Sequence, residues 1–485
     1  MSEIIYLASE EWVTNIISGL TGPTGSTTGF DGTGTQYLSV FGKSDPVTNI
    51  AELQNVYNVA KALAPTSDNP VNIIIYPGYY GTYSSALILD TPYINLISST
   101  GNIDVEIGYY GTSINSDYIT LYGIKFQDGG ITINDNYPNL YIENCYIYSG
   151  EQSIYPELSG TFKNIIGESD IFNGFPKYSG TFENINSTGT ALDGYTASEY
   201  SGTFKNINIV NGFYGTIFSG IFENINIQNG FNINFATTFS GTFKNINIKY
   251  QGFYNQYLNN YSGSFKDIYG SSIFNGNSIY SGTFENISTY EVPIFNGTLI
   301  GIFNNCIGSS GSFNCTTGTS IGTFNNCIGS YSSFNNLSGN LNYCIGNSGS
   351  FDNVQSGSIL NNCISDIVSF NNINGKLNNC ILLNGTFDAP LSGGTLNNCI
   401  DGNGKIIGGP TISGVYYQEV TGVTSVTVSL DSPLNNTGYT INITPASLDS
   451  AIQYYITNLT LSSFDIIYVS TITGIISFYW IINKS

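Results

Sequence analysis

The side chains able to do chemistry in this sequence are few and narrow in type. The 485 residues include no His, and all 12 basic residues are Lys. That removes Ser–His and Cys–His nucleophile pairs, His-ligated zinc, and the guanidinium fork that clamps carboxylates and phosphates. Carboxylates, thiols and phenols remain. Two carboxyl groups flanking a glycosidic bond are enough to hydrolyse it. The candidate catalytic residues are therefore Asp193 with Glu199, and Glu168 with Asp170. Their spacing has no signature of its own, so an enzyme is the lesser expectation. Eight cysteines occur without a Cys-x-x-Cys pair, and no Asp-x-Asp-x-Asp-Gly loop is present. No metal site and no cofactor are expected. The phenols concentrate in Tyr250-Gln-Gly-Phe-Tyr-Asn-Gln-Tyr-Leu-Asn-Asn-Tyr261. Tyr and Asn together typify recognition surfaces, which makes Tyr250, Tyr254, Tyr257, Asn259 and Tyr261 the candidate ligand contacts.

Charge narrows the partners. Acidic residues outnumber basic ones 33 to 12, a formal net charge of −21, yet charged residues are only 9% of the chain. Nucleic acid is not an expected partner, because phosphate neutralisation needs a basic surface. No run of 18 or more apolar residues exists, so no membrane-spanning helix is expected. Met1-Ser2-Glu3, followed by Glu10 and Glu11, lacks the basic start of a secretory signal.

A repeat must position these residues. Ser-Gly-Thr-Phe-Lys/Glu-Asn-Ile recurs at Ser159–Ile165, Ser179–Ile185, Ser201–Ile207, Ser240–Ile246 and Ser281–Ile287. It becomes Gly-x-Phe/Leu-Asn-Asn-Cys at Gly301–Cys306, Gly322–Cys327, Gly375–Cys380 and Gly394–Cys399. Anchored on the large apolar residue, the column runs from Leu121 to Leu396 in steps of 17 to 22 residues and counts 15 turns. Such a period means a solenoid, and the scarcity of helix formers makes its units strands and turns. In Phe204-Lys-Asn-Ile-Asn-Ile209 the apolar alternation resumes one residue late. The extra residue is a tight bend, and Asn tolerates the left-handed conformation such a bend needs. The same slip recurs at Asn184, Asn224 and Asn245, so a corner lined by Asn is expected, with amides bonded from turn to turn. A second column follows 9 to 11 residues later, as at Phe172, Phe213, Phe274 and Phe313.

Three further columns have bland readings. Cys145, Cys306, Cys327, Cys344, Cys363, Cys380 and Cys399 replace the inward Ile seen at Ile165, Ile185 and Ile207. They read as buried free thiols filling space, which suits assembly in a reducing compartment. Lys163, Glu183, Lys205, Glu223 and Lys244 alternate after the column Phe and read as weakly attracting outward neighbours. Tyr178, Tyr200, Phe218, Phe239, Tyr261 and Tyr280 recur once per turn, which is the spacing of core or corner stacking.

Flanking elements complete the plan. Thr48–Ala64 has a helical apolar face of Ile50, Leu53, Tyr57, Ala60 and Leu63, with Asn49 and Glu52 spaced as a capping box. Such a helix would cover the open end of the coil. Residues 1–44 read as an attachment segment and linker, 45–410 as the capped coil, and 411–485 as a small domain of alternating strands. The expected fold is all-β: a single-stranded parallel β-helix with an N-terminal capping helix and a C-terminal antiparallel β-domain.

Val71-Asn-Ile-Ile-Ile-Tyr-Pro-Gly-Tyr-Tyr80 followed by these repeats resembles the pectate-lyase-like right-handed β-helices over about residues 45–408. Tyr439–Pro445, Tyr454–Thr460, Phe464–Ile466 and Phe478–Ile482 resemble the closing β-domains of phage tail fibres and viral fibres. The Gly-Pro-Thr-Gly tract and the Asn-, Ile-, Tyr- and Phe-rich, Arg-free composition are similar to proteins of AT-rich giant viruses. These resemblances imply a homotrimeric fibre or spike on a virion surface, assembled in the host cytoplasm. It would be attached to virion or capsid proteins through its N-terminal segment and would bind a host-surface glycan. Several tailspikes on this scaffold cleave polysaccharides with paired carboxylates, so a depolymerase is the first alternative. The pectate lyases use an Arg base and the polygalacturonases Asp clusters with a His, neither of which this chain has. A capsid or coat decoration without a ligand is the second alternative.

Overall fold

The computed structural model describes residues 34–484 apart from 44, 83–85, 110, 128–129, 149–156, 169–170, 195–197, 230, 232–236, 251–252, 254–258, 271–272, 275–277, 290–293, 296, 315–320, 367–368, 388–393, 405, 408–412, 430–438, 446–453, 459 and 461–462. The expected attachment segment lies almost wholly outside the described residues. Two compact units are distinguished, Met1–Tyr257 with Ile268–Gly270, and Leu258–Asp267 with Ser271–Ser485. Parallel β-solenoid coils, about 14 turns in all, make up most of both, close to the 15 read from the repeat.

In the first unit each turn adds one strand to a parallel stack. Its members include Gln36–Val40, Val71–Ile75, Ile94–Ser98, Thr161–Gly167, Thr181–Ser187, Thr203–Ile209, Ile221–Ile227 and Thr242–Ile248. Register is residue for residue: Phe204 lies beside Phe182 and Phe222, and Lys205 beside Glu183 and Glu223. The Asn corner is as expected. Asn184, Asn206, Asn224 and Asn245 have φ of 56°, 54°, 58° and 54°. Each donates its side-chain amide to the Asn one turn earlier, at 2.7, 2.7, 2.8 and 2.8 Å.

A second bend follows, and its chemistry is less ordinary. Phe172, Leu192 and Phe213 also have φ near +55°. A bulky side chain gains nothing intrinsic there, and the left-handed region costs it on the order of 1 kcal/mol or more. Burying one Phe returns about 1.5–3 kcal/mol, and ring contacts add to that. Phe213 stacks on Phe231 at 5.1 Å and meets Phe204 edge-on at 5.4 Å. The chain then returns through short strands such as Glu199–Tyr200 and Ile217–Phe218. Tyr178, Tyr200, Phe218 and Phe239 stack at 4.7–5.0 Å and are fully buried, so this column is core. Next comes the Ser-Gly corner, where a Cβ on Gly202 would lie 2.2 Å from the Gly180 carbonyl oxygen. Only glycine fits that approach.

The helix spans Pro46–Ala62 rather than starting at Thr48. Its N-cap is Asp45, whose carboxylate accepts from the Thr48 N–H at 3.0 Å, and Pro46 takes the first helical position. Asp-Pro is the better start signal because Pro needs no N–H partner in the first turn. Asn49 is instead buried, and its amide bonds the carbonyls of Lys43 and Tyr79 at 2.9 and 2.8 Å. Ile50, Leu53, Tyr57 and Ala60 form the buried face, whereas Leu63 is exposed. No helix among the described residues is long and apolar enough to cross a membrane.

The second unit continues the same logic with smaller columns. Ile302–Asn304, Thr323–Asn325, Asn340–Asn342, Ile359–Asn361, Lys376–Asn378 and Thr395–Asn397 pair in parallel. The charged outward position becomes Asn, and Asn304, Asn325, Asn342, Asn361, Asn378 and Asn397 form an amide ladder at 2.7–2.8 Å. The last turn, Cys399–Ile400, is closed by antiparallel pairing with Ile406–Ile407. A small antiparallel sheet follows, made of Ser413–Ser429, Tyr439–Pro445, Tyr454–Thr457 and Ser463–Lys484. Its last strand fuses the two strands read separately in the sequence. Among the described side chains, Val426, Val428, Phe464, Ile466, Phe478 and Trp480 are buried in it.

Candidate functional site

The expected ligand loop opens on an exposed aromatic. Tyr250 is 50% exposed, directly after the strand Thr242–Ile248. The Lys249 ammonium lies 5.1 Å from its ring centroid, a cation–π contact. Sequence reasoning missed Lys249, although its place beside Tyr250 was the available signal. Tyr254 and Tyr257 lie outside the described residues.

Asn259 and Tyr261 correct the expectation. They are 1% and 0% exposed, and the Asn259 amide donates to the Tyr261 hydroxyl at 3.1 Å. Tyr261 stacks on Tyr280 at 5.0 Å and belongs to the inward aromatic column. The loop ends where the return strand Asn260–Tyr261 begins, so alternation turns both side chains to the interior and away from any ligand.

The carboxylate candidates occupy different settings. Asp193 is half-buried in the loop after the left-handed Leu192. Its N–H donates to Asn173 Oδ1 at 3.3 Å, and its carbonyl accepts from the Gly174 N–H at 2.7 Å. Glu199 is half-buried on the return strand, in register with Lys177 and Ile217. Its neighbour Tyr200 points inward, where its hydroxyl donates to the Leu192 carbonyl at 2.7 Å and accepts from the Gly194 N–H at 2.9 Å. The loop bearing Asp193 is thus folded over a buried hydroxyl. Glu168 is exposed, and its carboxylate accepts a hydrogen bond from Tyr146. Burial, helped by that carboxylate, pushes the Tyr146 hydroxyl up to about 12. Asp170 lies outside the described residues.

The outward charged column is paired. Lys163 meets Glu183 at 3.5 Å, and Glu223 lies between Lys205 and Lys244 at 3.3 and 3.1 Å. The two lysines hold the Glu223 carboxyl below its ordinary value. The seven described cysteines are free and buried, as the column reading expected. Burial pushes the Cys145 thiol up to about 12, so it is protonated at neutral pH. Among the described residues no group of three or more His, Cys, Asp or Glu could hold a metal ion.

No protein-family model and no curated protein matches this chain. The solenoid and its surface chemistry therefore carry the functional argument.

Proposed function

We propose that this protein is a fibre or spike of a virion surface, used for host attachment and binding glycan through the Tyr/Asn-rich loop. The carrying observation is the solenoid itself, a fold compatible with fibre and spike proteins. Its turns are held by stacked aromatic cores and amide ladders, with the exposed Tyr250 at the mouth of the long loop. In this reading residues 1–44 attach the protein to other virion or capsid proteins, and Tyr250, Tyr254 and Tyr257 contact sugar. A sugar's apolar face packs on an aromatic ring while its hydroxyls bond amides. Single sites of this kind are weak, and a homotrimer would compensate through multivalency.

Immunogold labelling of purified particles, combined with a glycan array, tests the proposal. Surface labelling and array binding reduced at least tenfold by Tyr250→Ala are the expected results. Labelling confined to the host cell, or an array signal unchanged by that substitution, would overturn it. Release of reducing ends that is abolished by Asp193→Asn or Glu199→Gln would establish the depolymerase instead.

A further inference from the structure

The cysteine column of the second unit has a property that space-filling does not require. Cys306, Cys327, Cys344, Cys363, Cys380 and Cys399 occupy successive turns, and each is fully buried and free. The residues on either side are in register: Asn304 with Asn325 and Ile307 with Ile328, and likewise up to Ile381 with Ile400. Each thiol therefore stands directly over the next, one strand spacing away. Each sulfur also lies 3.3–3.6 Å from the carbonyl of the column residue before it: Phe284 for Cys306, Phe303 for Cys327, and so on to Leu377 for Cys399.

We propose that this column binds soft, two-coordinate metal cations, each held between the thiolates of two adjacent turns. Spacing is the first argument. Adjacent strands are about 4.8 Å apart, and a metal–thiolate bond is about 2.3 Å. A linear sulfur–metal–sulfur bridge of roughly 4.6 Å therefore spans one step with little backbone movement. Donor type is the second argument. Thiolates select soft cations, and a pair satisfies a linear ion although it cannot satisfy tetrahedral zinc.

Charge balance decides between cations. A divalent ion displaces both protons, M²⁺ + 2 RSH → M(SR)₂ + 2 H⁺, and leaves a neutral product. A monovalent ion would leave a buried negative charge in a core without a countercharge. The mercuric class is thus preferred. Entry is expected from the final pair, Cys380 and Cys399, because the last turn is closed by the two-residue strand Ile406–Ile407 and terminal turns open first. Cys145 is an internal control. Its neighbours in the column are Ile124 and Ile165, so it is a buried thiol without a thiol above or below it.

The test titrates the full-length native chain, carrying Cys315→Ser, with mercuric chloride at neutral pH. Thiolate-to-metal absorption, proton release and the thiols left reactive after denaturation are followed. The expected result is saturation at one ion per two column thiols, two protons released per ion, a raised Tm, and one thiol, Cys145, remaining. Cys344→Ile should remove one ion per chain, because Ile already fills this column at Ile165 and Ile185. Cys145→Ile should leave the stoichiometry unchanged. Circular dichroism verifies that each variant is folded, and Cys399→Ile replaces Cys344→Ile if that variant is not. Uptake of one ion per thiol with a lowered Tm would overturn the proposal. Uptake only after denaturation would overturn it equally.

Discussion

Asn206 combines two roles that substitution can separate. Its backbone sits at φ 54°, and its amide is a link in a ladder from Asn184 to Asn224. Alanine should lose both, and glycine only the amide. We expect Asn206→Ala to destabilise by about 1–2 kcal/mol and Asn206→Gly by less, measured by urea denaturation. Tyr200→Phe is the buried counterpart. It takes the hydroxyl partner from the Gly194 N–H and from the Leu192 and Tyr214 carbonyls, of which Leu192 keeps the Phe213 N–H, at a cost of about 1–3 kcal/mol in the same measurement. The Asn corner was legible because the apolar alternation slips by one residue there. The left-handed Phe213 was not, since nothing about a Phe announces a backbone that Phe disfavours. Its ring contacts, seen in three dimensions, and the N–H it donates to the Leu192 carbonyl at 3.0 Å hold it there.

At the scale of the strand, the outward Lys/Glu column gives a pH dependence. The folded carboxyl of Glu223 is held below its ordinary value of 4.5 by Lys244 and Lys205. Its contribution to stability is therefore fully present above that value and is lost as pH falls through the lower folded one. Glu223→Gln should lower Tm at neutral pH, and the difference from the parent should vanish toward strong acid. A Tm difference that is the same at neutral and strongly acid pH would contradict this. Element boundaries were less legible than columns. Tyr261 belonged to two patterns at once, a Tyr-rich loop and an inward aromatic column, and the column determined its burial. The helix start was misread because Asn49 with Glu52 has the spacing of a cap, while the decisive pair, Asp45 with Pro46, stands just before it.

At the scale of the whole chain, each solenoid turn contacts mainly its neighbours, so stability is close to a sum over turns. The fold was almost fully legible in the sequence for that reason: one period, repeated, fixes every inward column. The candidate site was not, because the stretch from Tyr250 to Tyr261 breaks the pattern of the repeat and carries no averaging over turns. Trimer formation, read from the C-terminal strands, is tested by light scattering. The full chain should scatter as a trimer, and a chain ending at residue 410 should scatter as a monomer. Equal masses per particle would count against the role assigned to residues 411–485.

The glycine of the Ser-Gly corner has a genetic consequence. A methyl group at Gly202 or Gly220 would collide with the carbonyl of the turn before. Every missense change at these codons adds at least that methyl, so the corner tolerates none. Whole-turn duplication or deletion, in contrast, restores every contact. Lineages of this protein should therefore diverge by gaining and losing turns, with the segments after the second bend absorbing the remaining change in length.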